Sequence, residues 1–127
     1  MLSKVLIFLG WATAVTAHEM TPAYPEIKPS HVKGVVKAQM SLFNQREDVK
    51  YYMIEVFDKH FINIPFSSPN RIMKVDYKER KNFEVYLRKS DLRRAVYICT
   101  TSKVIKQRST KPLISSRICS RIDGGTA

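Results

Sequence analysis

The sequence predicts an all-β fold, an immunoglobulin-like antiparallel sandwich of about seven strands. Three observations carry this. Residues 35–44, 49–58 and 95–102 are short runs of β-branched and aromatic residues bounded by turn-type residues. Turn signals recur roughly every ten residues between residues 34 and 122. Residues 35–44 and 82–87 alternate apolar and polar side chains with period two. Hydrophobic residues make up 44% of the 127, ordinary for a folded domain, so wholesale disorder is not expected.

Residues 1–17 read as a secretory signal peptide. Lys4 gives a positive start, and the apolar run that follows is too short to span a bilayer. Val15-Thr16-Ala17 satisfies the small-residue cleavage rule, with Ala12-Thr13-Ala14 as a second candidate. Cleavage after Ala17 makes His18 the first mature residue; the alternative is an uncleaved anchor. No later apolar run is long enough for a transmembrane helix, so no stable membrane span is expected after cleavage. The expected destination is the periplasm, through the Sec pathway.

Pro22, Pro25 and Pro29 exclude a helix and a central strand near the mature start. Residues 18–25 are read as an extended arm leading into an edge strand near 26–33. Residues 26–122 are the sandwich domain. In 35–44, Val36, Ala38, Met40 and Leu42 share one face and Lys37, Gln39 and Ser41 the other, the pattern of a half-buried strand. Residues 44–48 are a polar turn. In 49–58, Tyr52, Ile54 and Val56 point one way, while Met53 and Phe57 make the other face partly apolar, as in a central strand. Residues 59–68 are a switching segment closed by a Ser-Ser-Pro-Asn turn. Residues 71–77 alternate, 78–81 turn, and 82–87 alternate again with Phe83, Val85 and Leu87 inward. A single helical turn fits Ser90-Asp91-Leu92. The strand 95–102, a basic loop 103–111, a last strand 113–122 and a flexible tail 123–127 complete the chain.

The net charge is +11. Such a balance favours anionic partners, but the basic residues are spread over turns and strand edges rather than gathered in one block. Two cysteines in a secreted domain suggest one disulfide, the alternative being two buried thiols. If 95–102 and 113–122 form a hairpin, Cys99 and Cys119 face each other. Val96, Ile98, Ile118 and Ile122 then share the core side. Closing that loop stabilises by about 3 kcal/mol on chain entropy.

The order of features resembles the N-terminal, immunoglobulin-like domain of the PapD-like periplasmic chaperones of pilus and fimbrial assembly. The residues that carry the likeness are Pro29-Ser30-His31-Val32 at a strand start, a strand ending in Asn44, and a strand with Tyr52 and Val56. Pro65-Phe66 with Pro69 and Arg71-Ile72, and Tyr97-Ile98-Cys99, continue it. One subgroup ties its last two strands with a disulfide and carries a basic anchor two residues after the second cysteine. Cys119-Ser120-Arg121 is similar, with Arg for the usual Lys. The second domain of that family is missing, the loop between the cysteines is shorter, and His31 replaces the first-strand Arg anchor unless Lys33 serves.

The resemblance implies donor-strand complementation, in which an edge strand lends backbone hydrogen bonds and apolar side chains to a partner subunit. Two cations then hold the partner's C-terminal carboxylate. Arg121 and Lys33 are the candidates for that anchor. Leu113, Ile114 and Ile118, with Ile105, are the apolar residues available for strand pairing. The expected partner is a protein subunit of a surface or secreted assembly, with no small-molecule substrate and no cofactor.

Two readings of other classes stand beside this one. His18 at a mature N-terminus, with His31 and His60 (Asp58-Lys59-His60), has the residues of a copper-binding histidine brace. Lys103, Lys106, Arg108 and Lys111 with Arg88, Lys89, Arg93 and Arg94 could form a basic interaction module of a surface or viral particle. A nucleic-acid partner is disfavoured because the loop 103–112 has no stacking aromatics. A catalytic function is not expected. There is no Gly-rich phosphate loop, no nucleophile-elbow spacing and no paired-cysteine zinc pattern.

Overall fold

The computed structural model describes residues 18–103 and 115–122. The expected signal peptide, the tail and residues 104–114 lie outside the described residues. The described residues form eight strands: β1 (Glu19–Thr21), β2 (Ile27–Pro29), β3 (Val35–Phe43), β4 (Tyr51–Phe57), β5 (Ile72–Lys74), β6 (Arg80–Arg88), β7 (Tyr97–Lys103) and β8 (Arg117–Arg121).

The strands make two antiparallel sheets. In the first, β3 is central: β6 runs along one side of its whole length, from Val35↔Arg88 to Phe43↔Arg80. On the other side, β1 covers the Phe43 end and β2 the Val36 end. The second sheet has the order β5-β4-β7-β8. The sheets face each other through alternate residues: Ala38, Met40 and Leu42 of β3 and Phe83, Val85 and Leu87 of β6, against Tyr52, Ile54 and Val56 of β4 and Ile98 of β7. This is the immunoglobulin-like sandwich that the period-two pattern predicts.

The turn from β3 to β4 crosses from one sheet to the other, and a buried asparagine fixes it. The Asn44 side-chain amide donates to the carbonyls of Val49 (2.7 Å) and Val75 (2.9 Å). Its oxygen accepts from the Arg46 backbone N–H (2.9 Å) and the Tyr52 hydroxyl. All four hydrogen-bonding positions of the amide are therefore used, which is what makes a fully buried Asn tolerable between sheets. Burial, more than the neighbouring charges, pushes the Tyr52 hydroxyl up to about 12, so it stays a donor to Asn44.

Seven of the strands overlap segments read as strands from the sequence. The eighth, β1, lies inside the proline-rich arm. β5 is shorter than residues 71–77, because the chain turns back at Lys78 in a left-handed conformation (φ 61°), with the Lys78 N–H donating to Asn44 O. Tyr77, beyond the end of β5, is exposed. The turn at residues 88–95 closes on Asp91, whose carboxylate accepts from Arg88 Nε and Arg94 Nη2, each at 2.8 Å. Those two guanidinium groups hold the Asp91 carboxyl below the usual carboxylate range.

Candidate partner-binding edge

The register of the last two strands decides which backbone groups β8 presents outward. Ser102 N–H donates to Ser116 O (2.9 Å) and Ile122 N–H to Val96 O (2.7 Å). The even-numbered residues of β8 therefore point their amides and carbonyls at β7, and Arg117, Cys119 and Arg121 point theirs away. Cys99 and Cys119 form the disulfide across a non-hydrogen-bonded pair, where strands approach most closely; their Cα atoms are 4.1 Å apart. The bond fixes β8 to β7 without using any outward group of the edge.

Of those outward groups, the Arg121 N–H donates to Ala23 O (2.8 Å). The outward N–H and C=O of Arg117 and of Cys119 have no partner among the described residues. The open part of the edge is stiffened from its outer face. Arg117 Nε donates to Thr101 Oγ1 (3.2 Å), its guanidinium lies 5.0 Å from the centre of the Phe57 ring, and Nη2 is 3.9 Å from Glu55 Oε1.

The closed part of the edge is made by the N-terminal arm. Between β1 and β2 the chain bulges away from β3 and reaches β8, where Ser120 Oγ donates to Pro22 O (2.7 Å) and Arg121 meets Ala23. His18, just before β1, plugs the space between the sheets and is only 2% exposed. Its Nε2–H donates to Thr100 O (3.1 Å) and lies 2.9 Å from Thr100 Oγ1. Nδ1 then accepts from Ser116 Oγ (3.2 Å). The ring also packs on Tyr52, with centroids 4.6 Å apart. Burial lowers its pKa to about 4, outweighing the bond to the Thr100 carbonyl that favours the charged form; the Arg46 charge lowers it further.

The residues singled out in the sequence fall as follows. Arg121 lies opposite Tyr97 at the start of β7, and exposed Lys33 lies in the turn before Val35. Strand directions put both at the same end of the sandwich, one on each sheet. Ile118 is half-buried, with its side chain packed on the core and its backbone turned to β7, so it lends a partner neither. Leu113 and Ile114, with Ile105, lie outside the described residues.

The three histidines are not brought together. His18 is at the Phe43 end of the first sheet, while exposed His31 precedes Val35 at the opposite end, and exposed His60 follows Phe57. Eight residues of strand, roughly 27 Å, separate those ends. Of the basic residues, Lys103 stands at the far end of β7 from Arg93 and Arg94; Lys106, Arg108 and Lys111 lie outside the described residues. Two contributors to this edge carry no signal in the sequence: Arg117 reads as one more surface cation, and Ala23 as part of a proline-rich arm.

Fold and edge together define an all-β, immunoglobulin-like sandwich with one edge strand pinned by a disulfide. The disulfide fits an oxidising, secreted or periplasmic compartment, and no helix among the described residues is long and apolar enough to cross a membrane. Compared with models of known protein families and with the curated proteins, the chain matches none.

Proposed function

We propose that the protein binds a partner subunit by strand addition along β8, as a periplasmic chaperone or assembly factor of a surface structure. The carrying observation is the pair of outward-pointing backbone units at Arg117 and Cys119, two residues apart on one edge, which is the spacing an antiparallel or parallel guest strand needs. The disulfide supports the reading, because a tethered edge loses less conformational freedom when a guest docks. The resemblance to the PapD-like chaperones supports it independently, and in that reading Arg121, with Lys33 across the same end, takes the partner's C-terminal carboxylate.

The test separates backbone from side chain. The Arg117 N–H is not part of the β7 ladder, so Arg117→Pro deletes an outward donor and leaves the hairpin bonds in place. With the protein recovered from a bacterial periplasm, native mass spectrometry should show a co-purifying subunit with wild type and with Arg117→Ala, and none with Arg117→Pro. Circular dichroism checks that all three are folded. Capture that survives Arg117→Pro places the guest elsewhere. Arg121→Ala should abolish capture without unfolding the protein; unchanged capture removes the anchor role.

A further inference from the structure

The end of the sandwich that carries Arg121 and Lys33 also carries a loop that strand addition does not use. Residues 58–62, after β4, form a closed loop: Asp58 N–H donates to Ile62 O (2.9 Å) and Phe61 N–H to Asp58 O (3.0 Å). The Asp58 carboxylate accepts from the N–H groups of His60 (2.8 Å) and Ile62 (3.0 Å). Those two bonds hold the Asp58 carboxyl below its ordinary range. Phe61 sits in the left-handed region (φ 58°), a conformation a bulky residue adopts only where its surroundings impose it. Four of the five amides of the loop, those of Asp58, His60, Phe61 and Ile62, thus donate within it, while Phe61 is 49% and Ile62 62% exposed. A loop of this kind leaves few backbone donors to strand when it leaves water.

Its neighbours match. The turn between β2 and β3, at the same end of the other sheet, exposes Val32 (61%) beside Lys33. Val32 shares a groove with Pro65 and Phe66, a few residues past Ile62. The turn at residues 88–95 lies near the loop, since the Arg94 charge reaches Asp58, and it carries exposed Arg93. Lys59 is exposed on the loop itself. The acidic groups nearby are committed: Asp58 to the loop backbone, Asp91 to Arg88 and Arg94, and Glu84, which the His31 charge reaches, to Tyr86 and Gln39.

We infer that this end docks on an anionic phospholipid bilayer, with Val32, Phe61 and Ile62 entering the interface and Lys33, Lys59 and Arg93 meeting the headgroups. Apolar tips on separate convex loops, ringed by cations, match a deformable apolar layer under a negative surface. They do not match nucleic acid: Val32 and Ile62 offer bases no stacking surface, and one face of the Phe61 ring is already stacked on Tyr97 (4.8 Å, 8°). The inference uses none of the β8 backbone, though it shares Lys33 with the carboxylate anchor proposed above.

A protein of this net charge is attracted to any anionic surface, so the test must isolate the tips. Flotation with phosphatidylglycerol/phosphatidylethanolamine vesicles is compared for wild type, Ile62→Asp and Ile72→Asp. Ile72 is also an exposed isoleucine (51%), on β5, and its replacement makes the same charge change. The expected result is a loss of vesicle affinity of about tenfold or more for Ile62→Asp and less than about twofold for Ile72→Asp, with weak binding to phosphatidylcholine vesicles. Equal losses for the two variants, no loss for either, or no vesicle binding by wild type would overturn the proposal. If anionic-vesicle binding ignores Ile62→Asp and vanishes at high salt, the end is an electrostatic surface for acidic protein or nucleic acid instead.

Discussion

The sandwich has two side seams, and they are closed by different means. At the β1/β8 seam the N-terminal arm crosses from sheet to sheet: His18 bonds to Thr100 and Ser116, Ser120 to Pro22 and Arg121 to Ala23, most of this shielded from water. At the β5/β6 seam a single exposed lysine spans the gap, Lys81 Nζ donating to Lys74 O (3.0 Å), over a cleft of about 300 Å³ that reaches Met73 and Phe83. Further along, Ser67 pairs with Tyr86 and the Ser68 hydroxyl donates to Glu84 O (2.7 Å). The first seam rests on largely buried polar bonds to a strand that the cystine fixes to β7. At the second, one exposed lysine spans the cleft, and the sheets meet through the backbone pair and the part-buried Ser68 bond only further along.

The contrast can be broken first at the cystine. Cys99→Ala/Cys119→Ala should cost about 3 kcal/mol of unfolding free energy, measured by urea denaturation; a loss under about 1 kcal/mol would mean the arm alone holds β8.

His18 gives the second test. Its folded pKa is about 4 against 6.5 for the unfolded chain, so the unfolded state binds more protons between those values. The stability His18 provides is complete above pH 6.5 and is lost as pH falls towards 4. The full loss is on the order of 3 kcal/mol. His18→Gln should flatten that part of the stability–pH curve, as read from denaturant midpoints at a series of pH values; an unchanged slope would assign the acid sensitivity to other groups.

Ser120→Ala should cost about 1 kcal/mol through the lost bond to Pro22. Lys81→Met at the opposite seam should change stability by less than about 0.5 kcal/mol. Similar losses for these two would erase the distinction between the seams. The smallest effect concerns exchange: amides of Arg117 and Cys119 should exchange faster than those of Ile118 and Ser120, and should become protected when a guest strand is bound.

Much of the fold is legible because period two is a local signal. β3, β4 and β6 show it residue by residue, and Cys99 with Cys119 sit in two runs whose pairing follows once a hairpin is assumed. β1 is hidden because its partner, the Phe43 end of β3, is distant in sequence, while the prolines beside it argue for irregular chain. The same distance hides His18: a lone histidine at the start of an arm says nothing of Thr100 and Ser116, which meet it only after both sheets have formed. The edge is half legible. Alternation in β8 puts Ile118 inward, but the direction of its backbone groups depends on a register that no composition encodes.

The cystine also determines how β8 bears a load. A strand held by hydrogen bonds alone peels from its neighbour one bond at a time when pulled from its end. With Cys119 fastened to Cys99, tension applied along β8 passes into β7 and on to β4, which flanks β7 on its other side. The hairpin is then loaded in shear, all its bonds together, and a bound guest can be drawn on without unzipping the edge that holds it.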